Sequence, residues 1–144
     1  MLPVDPTAID PDDIGEKRAV LDMEHEPAIE HVRSVFEAAG FGIPVEFSPA
    51  ELLNEKVEAD RDPYYVLGAC NPAVANAALD VTPDIGGLFP CNVIVRELEP
   101  GRQAVYHVSI MRIARLVGIA PDTEEWAAII EETGAYVDEA YANL

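Results

Sequence analysis

Asn92-Val93-Ile94-Val95-Arg96 and Ala104-Val105-Tyr106-His107-Val108, separated by a connection that contains Glu99-Pro100-Gly101-Arg102, decide the fold. Both runs are rich in β-branched and aromatic residues, the composition that suits a pleated, half-buried surface. Proline then glycine in the connection is a type II turn signal: proline presets φ at the first central position and glycine supplies the positive φ of the second. The two runs predict a β-hairpin with a somewhat longer connection, and with it an antiparallel sheet.

Upstream, Tyr64 to Ala69 has strand composition, and Asn71-Pro72 is a cap-then-proline helix start that predicts a helix over Ala73 to Leu79. Thr82 to Pro90 carries Pro83, Gly86, Gly87 and Pro90 and is expected to be loop. Ser48-Pro49-Ala50-Glu51 is a capping box that starts a short helix running to about Val57, before a charged loop from Glu58 to Pro63. Phe41 to Phe47 alternates as a strand does, and Pro44 places it at a sheet edge. Glu26-Pro27 opens a helix whose Ile29, Val32, Val35, Phe36 and Ala39 recur at helical spacing before Gly40 closes it, and Ala19 to Met23 suits a first strand. Downstream, a brief helix from Met111 to Val117 ends at Gly118. After Pro121-Asp122, Trp126, Ile129, Ile130, Val137, Ala140, Tyr141 and Leu144 form one stripe of a helix about 20 residues long, with acidic residues opposite. Gly134 weakens its middle by about 1 kcal/mol relative to alanine.

The order is β-α-β, short helix, β, short helix, β-hairpin, short helix, long helix. It predicts an α+β fold: a mostly antiparallel sheet with helices on one face and a long C-terminal helix. Few elements remain to cover the other face, so a homodimer is the economical expectation. Residues 1–17, acidic and turn-rich with Asp5-Pro6 and Asp10-Pro11, are expected to be a flexible leader, and residues 18–144 one domain.

The chain has 144 residues, 49% of them hydrophobic and 25% charged, enough apolar content to build a core. No apolar run approaches the roughly 20 residues of a membrane helix, and the acidic N-terminus does not read as a signal peptide. Nine basic against 27 acidic residues, a formal charge of −18, exclude nucleic acid and anionic membrane surfaces as expected partners. The carboxylates are dispersed along the chain, and of the nine basic residues only Lys17 and Lys56 are lysines. A dispersed anionic surface stays hydrated where salt competes for water, and salt screens its self-repulsion. These features predict a cytoplasmic protein of a salt-loving organism.

Cys70 and Cys91 are the only cysteines, too few for a disulfide framework. Cys70 stands between a strand and a helix capped by Asn71, where the helix dipole and unpaired N–H groups favour a thiolate. The alternative is a small buried hydrophobe. The 21 residues between the cysteines allow them to meet at adjacent strand ends, as a dithiol pair or as part of a metal site. Two cysteines fall short of a closed zinc site, although a dimer brings four thiols and His107 is a further candidate ligand; the metal stays unassigned, as does any cofactor. His107 equally reads as a satisfied structural histidine. Lys56 is a candidate ligand for a carboxylate or phosphate, or the partner of a surface ion pair. His25 and His31 have the spacing of neither a helical metal pair nor a triad. Gly86-Gly87 matches no phosphate-binding loop.

Tyr65-Val66-Leu67-Gly68-Ala69-Cys70-Asn71-Pro72 and Ile85-Gly86-Gly87-Leu88-Phe89-Pro90-Cys91-Asn92-Val93 resemble the domain-of-unknown-function family numbered 302. The resemblance extends over Ala19 to Leu144, through Gly40-Phe41-Gly42, Glu46 to Lys56 and Leu116-Val117-Gly118. It implies an α+β domain, usually homodimeric, without an established activity. It also implies that Cys70, Asn71, Pro72, Gly86, Pro90 and Cys91 belong to a shared pattern. The chain departs from that pattern at Ser109-Ile110, where similar chains often carry Asp-Pro, which alters any site that the aspartate helps build.

Two functions from different classes follow. In one, Cys70 is the nucleophilic thiolate and Cys91 the resolving thiol of a redox or sulfur-transfer protein, with Asn71 stabilising the anion. In the other, a dimeric non-enzymatic protein binds a small ligand or metal at the same corner.

Overall fold

A computed structural model describes residues 10–144. Five strands form one antiparallel sheet: β1 (Lys17–Leu21), β2 (Gly42–Phe47), β3 (Tyr64–Cys70), β4 (Cys91–Glu99) and β5 (Arg102–His107), in the order β1-β5-β4-β3-β2. The helices are α1 (His25–Ala38), α2 (Pro49–Lys56), α3 (Pro72–Val81), α4 (Ile110–Val117) and α5 (Glu124–Ala142). This is the expected α+β order, with β2 at an edge. Among the described residues, no helix is long and apolar enough to cross a membrane.

Local chemistry sets most boundaries. Ser48, Asn71, Ser109 and Thr123 each accept an N–H bond of the helix they precede, and Pro49 and Pro72 fill first-turn positions whose N–H would go unpaired. At Ser48 only the forward half of the expected capping box forms. The hairpin turn is tighter than expected. β4 runs to Glu99 and pairs with Arg102, leaving Pro100 and Gly101 as the loop; Gly101 has φ +82°, and the register shift between Glu97 and Glu99 absorbs the turn's twist. Thr82 to Pro90 also differs from a plain loop. Pro83–Leu88 coils as a 3-10 turn that buries Ile85 in the core, a long-range apolar contact that local glycine and proline content does not reveal. The expected leader divides: residues 1–9 lie outside the described region, whereas Pro11–Ile14 form a 3-10 turn and Ser109 N–H bonds to the Ile14 carbonyl at 2.7 Å.

The register assigns the sheet two unlike faces. Leu67, Ala69, Val93, Val95, Val105 and Gln103 share the face beneath α1 and α5 and are buried. Val20, Ala104, Tyr106, Ile94, Val66, Val45 and Phe47 share the opposite face, which no helix among the described residues covers. Val20, Val45 and Phe47 are each more than half exposed there.

The covered side holds two cores. The first joins the sheet to α1 and the C-terminal half of α5 through Phe36, Phe41, Leu67, Val93 and Val137. The second joins α3, α4 and the N-terminal half of α5 around Trp126. Helix α5 belongs to both. Trp126 is fully buried and donates its indole N–H to the Met111 carbonyl at 2.9 Å, locking α5 to α4. Trp126→Phe removes that bond while the Met111 carbonyl keeps its place in the α4 ladder, so we expect a loss of about 0.5–1.5 kcal/mol of stability before packing changes, read as a lower urea midpoint. An unchanged midpoint would show that this bond does not hold the second core.

Candidate functional site

Between the two cores, at the end of β3 and the start of β4, lies a half-open cavity of about 270 Å³. Cys70, Asn71, Val74 and Ala75 form one wall, from the β3–α3 corner. Phe89, Pro90 and Cys91 enter from the segment that starts β4; Met111 and Thr133 close the inner end, and Phe41, Pro44 and Val45 complete the rim. None of the lining residues is charged.

The polar groups of this lining are already engaged. Asn71 Oδ1 accepts the Val74 N–H at 3.1 Å, and its Nδ2 donates to the Gly40 carbonyl at 3.1 Å. Asn71 therefore ties the β3–α3 corner to the α1–β2 corner, which takes its Oδ1 and one of its two amide N–H groups. Thr133 donates its hydroxyl to the Ile129 carbonyl four residues back, at 2.8 Å. What remains facing the cavity is apolar surface and two thiols that form no disulfide.

Those thiols differ. Cys91 is cross-strand partner to Ala69 and takes the covered face, while Cys70, one position on, takes the other. Side chains leaving adjacent strands on opposite faces do not have the geometry of a disulfide without backbone movement. Cys91 is buried, and burial pushes its thiol up to about 12, with the Cys70 charge adding to the effect. Cys70 is half-buried at the end of β3, one residue further along the strand than expected.

The remaining candidates lie elsewhere. His107 does not line the cavity: it is buried at the end of β5 and bonds through Nδ1 to the Asn92 carbonyl at 2.7 Å. Burial holds its imidazole below the usual histidine range, in the neutral form. Lys56 is exposed at the end of α2 with Glu55 3.6 Å away, the geometry of a surface ion pair. Among the described residues, no three His, Cys, Asp or Glu side chains gather as a metal would require. The sequence reading passed over Phe41, Ala75, Phe89, Met111 and Thr133. Each looks like an ordinary core residue, and only the meeting of α3, α4 and α5 at the sheet's end makes them a wall.

Gly68 explains the rim. A Cβ at this position would lie 2.5 Å from Val45 Cγ2 and 2.6 Å from Pro90 Cγ, so both side chains rest directly on the glycine. Gly68 projects toward the uncovered sheet face. Val45 and Pro90 are thus part of that face and of the cavity at once. Ser109 also acquires a plain role. Its hydroxyl accepts the Arg112 N–H at 3.2 Å and Ile110 opens α4, the same cap and first-turn positions that Asp-Pro suits.

Residues 17–144 match the profile of the family described as "Domain of unknown function DUF302". The chain belongs to this family. A crystal structure of an uncharacterized conserved DUF302 protein from Bacillus stearothermophilus superposes with a TM-score of 0.76 at 20% identity, covering 89% of this chain and 96% of that one. At that identity the likeness shows a shared DUF302 fold. No curated protein matches the chain.

The state of Cys91 has a measurable consequence. The folded protein favours the neutral thiol, so this contribution is fully present below the unfolded thiol's value near 9 and is lost as pH rises toward about 12. Unfolding free energy should fall across that interval, and Cys91→Ala should fall less. Parallel curves for the two proteins would refute the burial of this thiol.

Proposed function

We propose that the protein is a non-enzymatic, homodimeric binding protein for a small uncharged apolar ligand. The observation that carries this is the cavity itself: about 270 Å³ of apolar wall with no charged residue, its hydroxyl bonded to its own helix and its one side-chain amide bonded through Oδ1 and one N–H. Such a space releases water at little cost and offers an ion no partner. An apolar cavity of about 150 Å³ holds benzene, so this one suits a molecule of one or two rings. The net charge of −18 further disfavours anions. The uncovered sheet face, with Val20, Val45 and Phe47 more than half exposed, supports the dimer. Prodan, a neutral two-ring dye whose emission shifts in apolar surroundings, should bind with a blue shift. Ala75→Phe, which fills the cavity, should abolish that shift. Prodan emission identical with and without protein would defeat the reading.

A second reading is favoured by the two thiols on one cavity: a redox or sulfur-transfer protein with Cys70 as nucleophile and Cys91 as resolving thiol. In the strict sense it needs Cys70 to react with an alkylating probe at about pH 6.5, well before Cys91, and a mild oxidant to join the pair. Labelling of both thiols only after unfolding would dismiss it. The buried, neutral Cys91 favours the binding reading over this one.

The composition supports a cytoplasmic setting in a salt-loving organism, with two lysines among nine basic residues and dispersed carboxylates. The melting temperature should rise as salt increases toward molar concentration, because screening relieves self-repulsion. A flat or falling melting temperature would contradict this.

A further inference from the structure

We infer that the second copy seated on the open sheet face also roofs the apolar cavity, so that ligand binding and dimerisation are coupled through one continuous surface. This rests on the binding reading above and adds its regulation.

Charge points to a second copy as the occupant. The chain carries 27 carboxylates, yet the strand positions in the middle of this face are Val20, Ala104, Tyr106, Ile94, Val66 and Phe47, with Arg18 and Arg96 among them. Among the described residues, the carboxylates of this face stand at its margins, at Glu16, which accepts the Tyr106 hydroxyl, and at Glu99 beside the hairpin turn. Two copies of so acidic a protein repel each other through every other surface. This is the face on which they meet with apolar and aromatic groups and without facing rows of carboxylates.

Area extends the contact to the cavity. Five strands about 4.8 Å apart and about 17–20 Å long give a flat area of roughly 400–500 Å². A stable interface takes about 800 Å² from each partner. Even with side-chain relief, the strands alone fall short, and the apolar surface continuous with them is the rim. Val45, 55% exposed, lines the cavity and stands on the face, and Pro90 rests beside it on Gly68. A copy large enough to hold covers this rim.

Two linked equilibria then act on each other, and with one cavity on each copy the dimer constant changes by the square of the per-site affinity ratio. A ligand under the roof meets apolar surface where the monomer offers water, so the dimer binds it more tightly, and the ligand in turn tightens the dimer.

The test measures the dimer dissociation constant by sedimentation in high salt, with and without saturating prodan, on the full chain. We expect prodan to tighten the dimer at least ten-fold, and per-site prodan affinity to fall by the square root of that factor, at least about three-fold, when the protein is diluted to monomer. Ile94→Lys, on the face but outside the cavity, should weaken both together. Val20→Lys, at the far end of the face, serves as a second variant should Ile94→Lys fail to give a cooperative thermal transition. Ala75→Phe, which fills the cavity, should make the dimer constant insensitive to prodan. Equal prodan affinity in monomer and dimer would overturn the coupling while leaving the binding reading intact. A protein that stays monomeric yet binds prodan fully would overturn the roof. Absence of prodan binding would overturn the binding reading, and the coupling with it.

Discussion

One-sided cover of the sheet governs the rest of this structure. Five antiparallel strands alternate their side chains, and only the face holding Leu67, Val93, Val95 and Val105 meets helices. Burying that face under α1 and α5 supplies the apolar contact that holds the strands in register, since slipping one residue would turn these side chains to water. Fully buried Gln103 fits the same face because His25 bonds to its Oε1 at 2.9 Å and it donates to the Met23 carbonyl at 3.3 Å.

The cavity is a consequence of how α5 divides its work. Its C-terminal half packs on the sheet and its N-terminal half on α3 and α4, and the seam between those two cores falls where β3 ends and β4 begins. Helix starts and strand ends converge there, so the backbone turns away on several sides and leaves space. The local polar groups are consumed in holding the corner: Asn71 braces Gly40, and Thr133 bonds to its own helix. Apolar wall and the two thiols are what remain.

Electrostatics separates the surfaces. The edge strand β2 is pinned by Glu46, which accepts the Tyr65 hydroxyl at 2.6 Å and pairs with Arg33 of α1; those bonds hold the carboxyl below its usual range. Such pairs are exposed and contribute modestly each. The larger effect is the distribution of charge, which leaves the middle of the open sheet face without rows of carboxylates among the described residues.

The order of strands and helices, the caps at Ser48 and Asn71, and the stripe of α5 were legible in the sequence because they rest on short-range rules of spacing and hydrogen bonding. The family was legible too, in the segments around Cys70 and Cys91. The 3-10 turn at Pro83–Leu88 was not, because burial of Ile85 against distant helices sets it. The same limit applies to the site. Sequence singled out the two cysteines and Asn71, but the sheet register put the thiols on opposite faces and a long-range contact occupied the Asn71 amide. It singled out Lys56 and His107 for rarity and type, yet one stands in solvent and the other bonds to Asn92. Sequence by itself determined the elements and their order, since neighbours along the chain settle those. Only the tertiary structure decided that Phe41, Ala75, Phe89 and Met111 enclose a space, because a cavity is made by residues that are near one another only after folding.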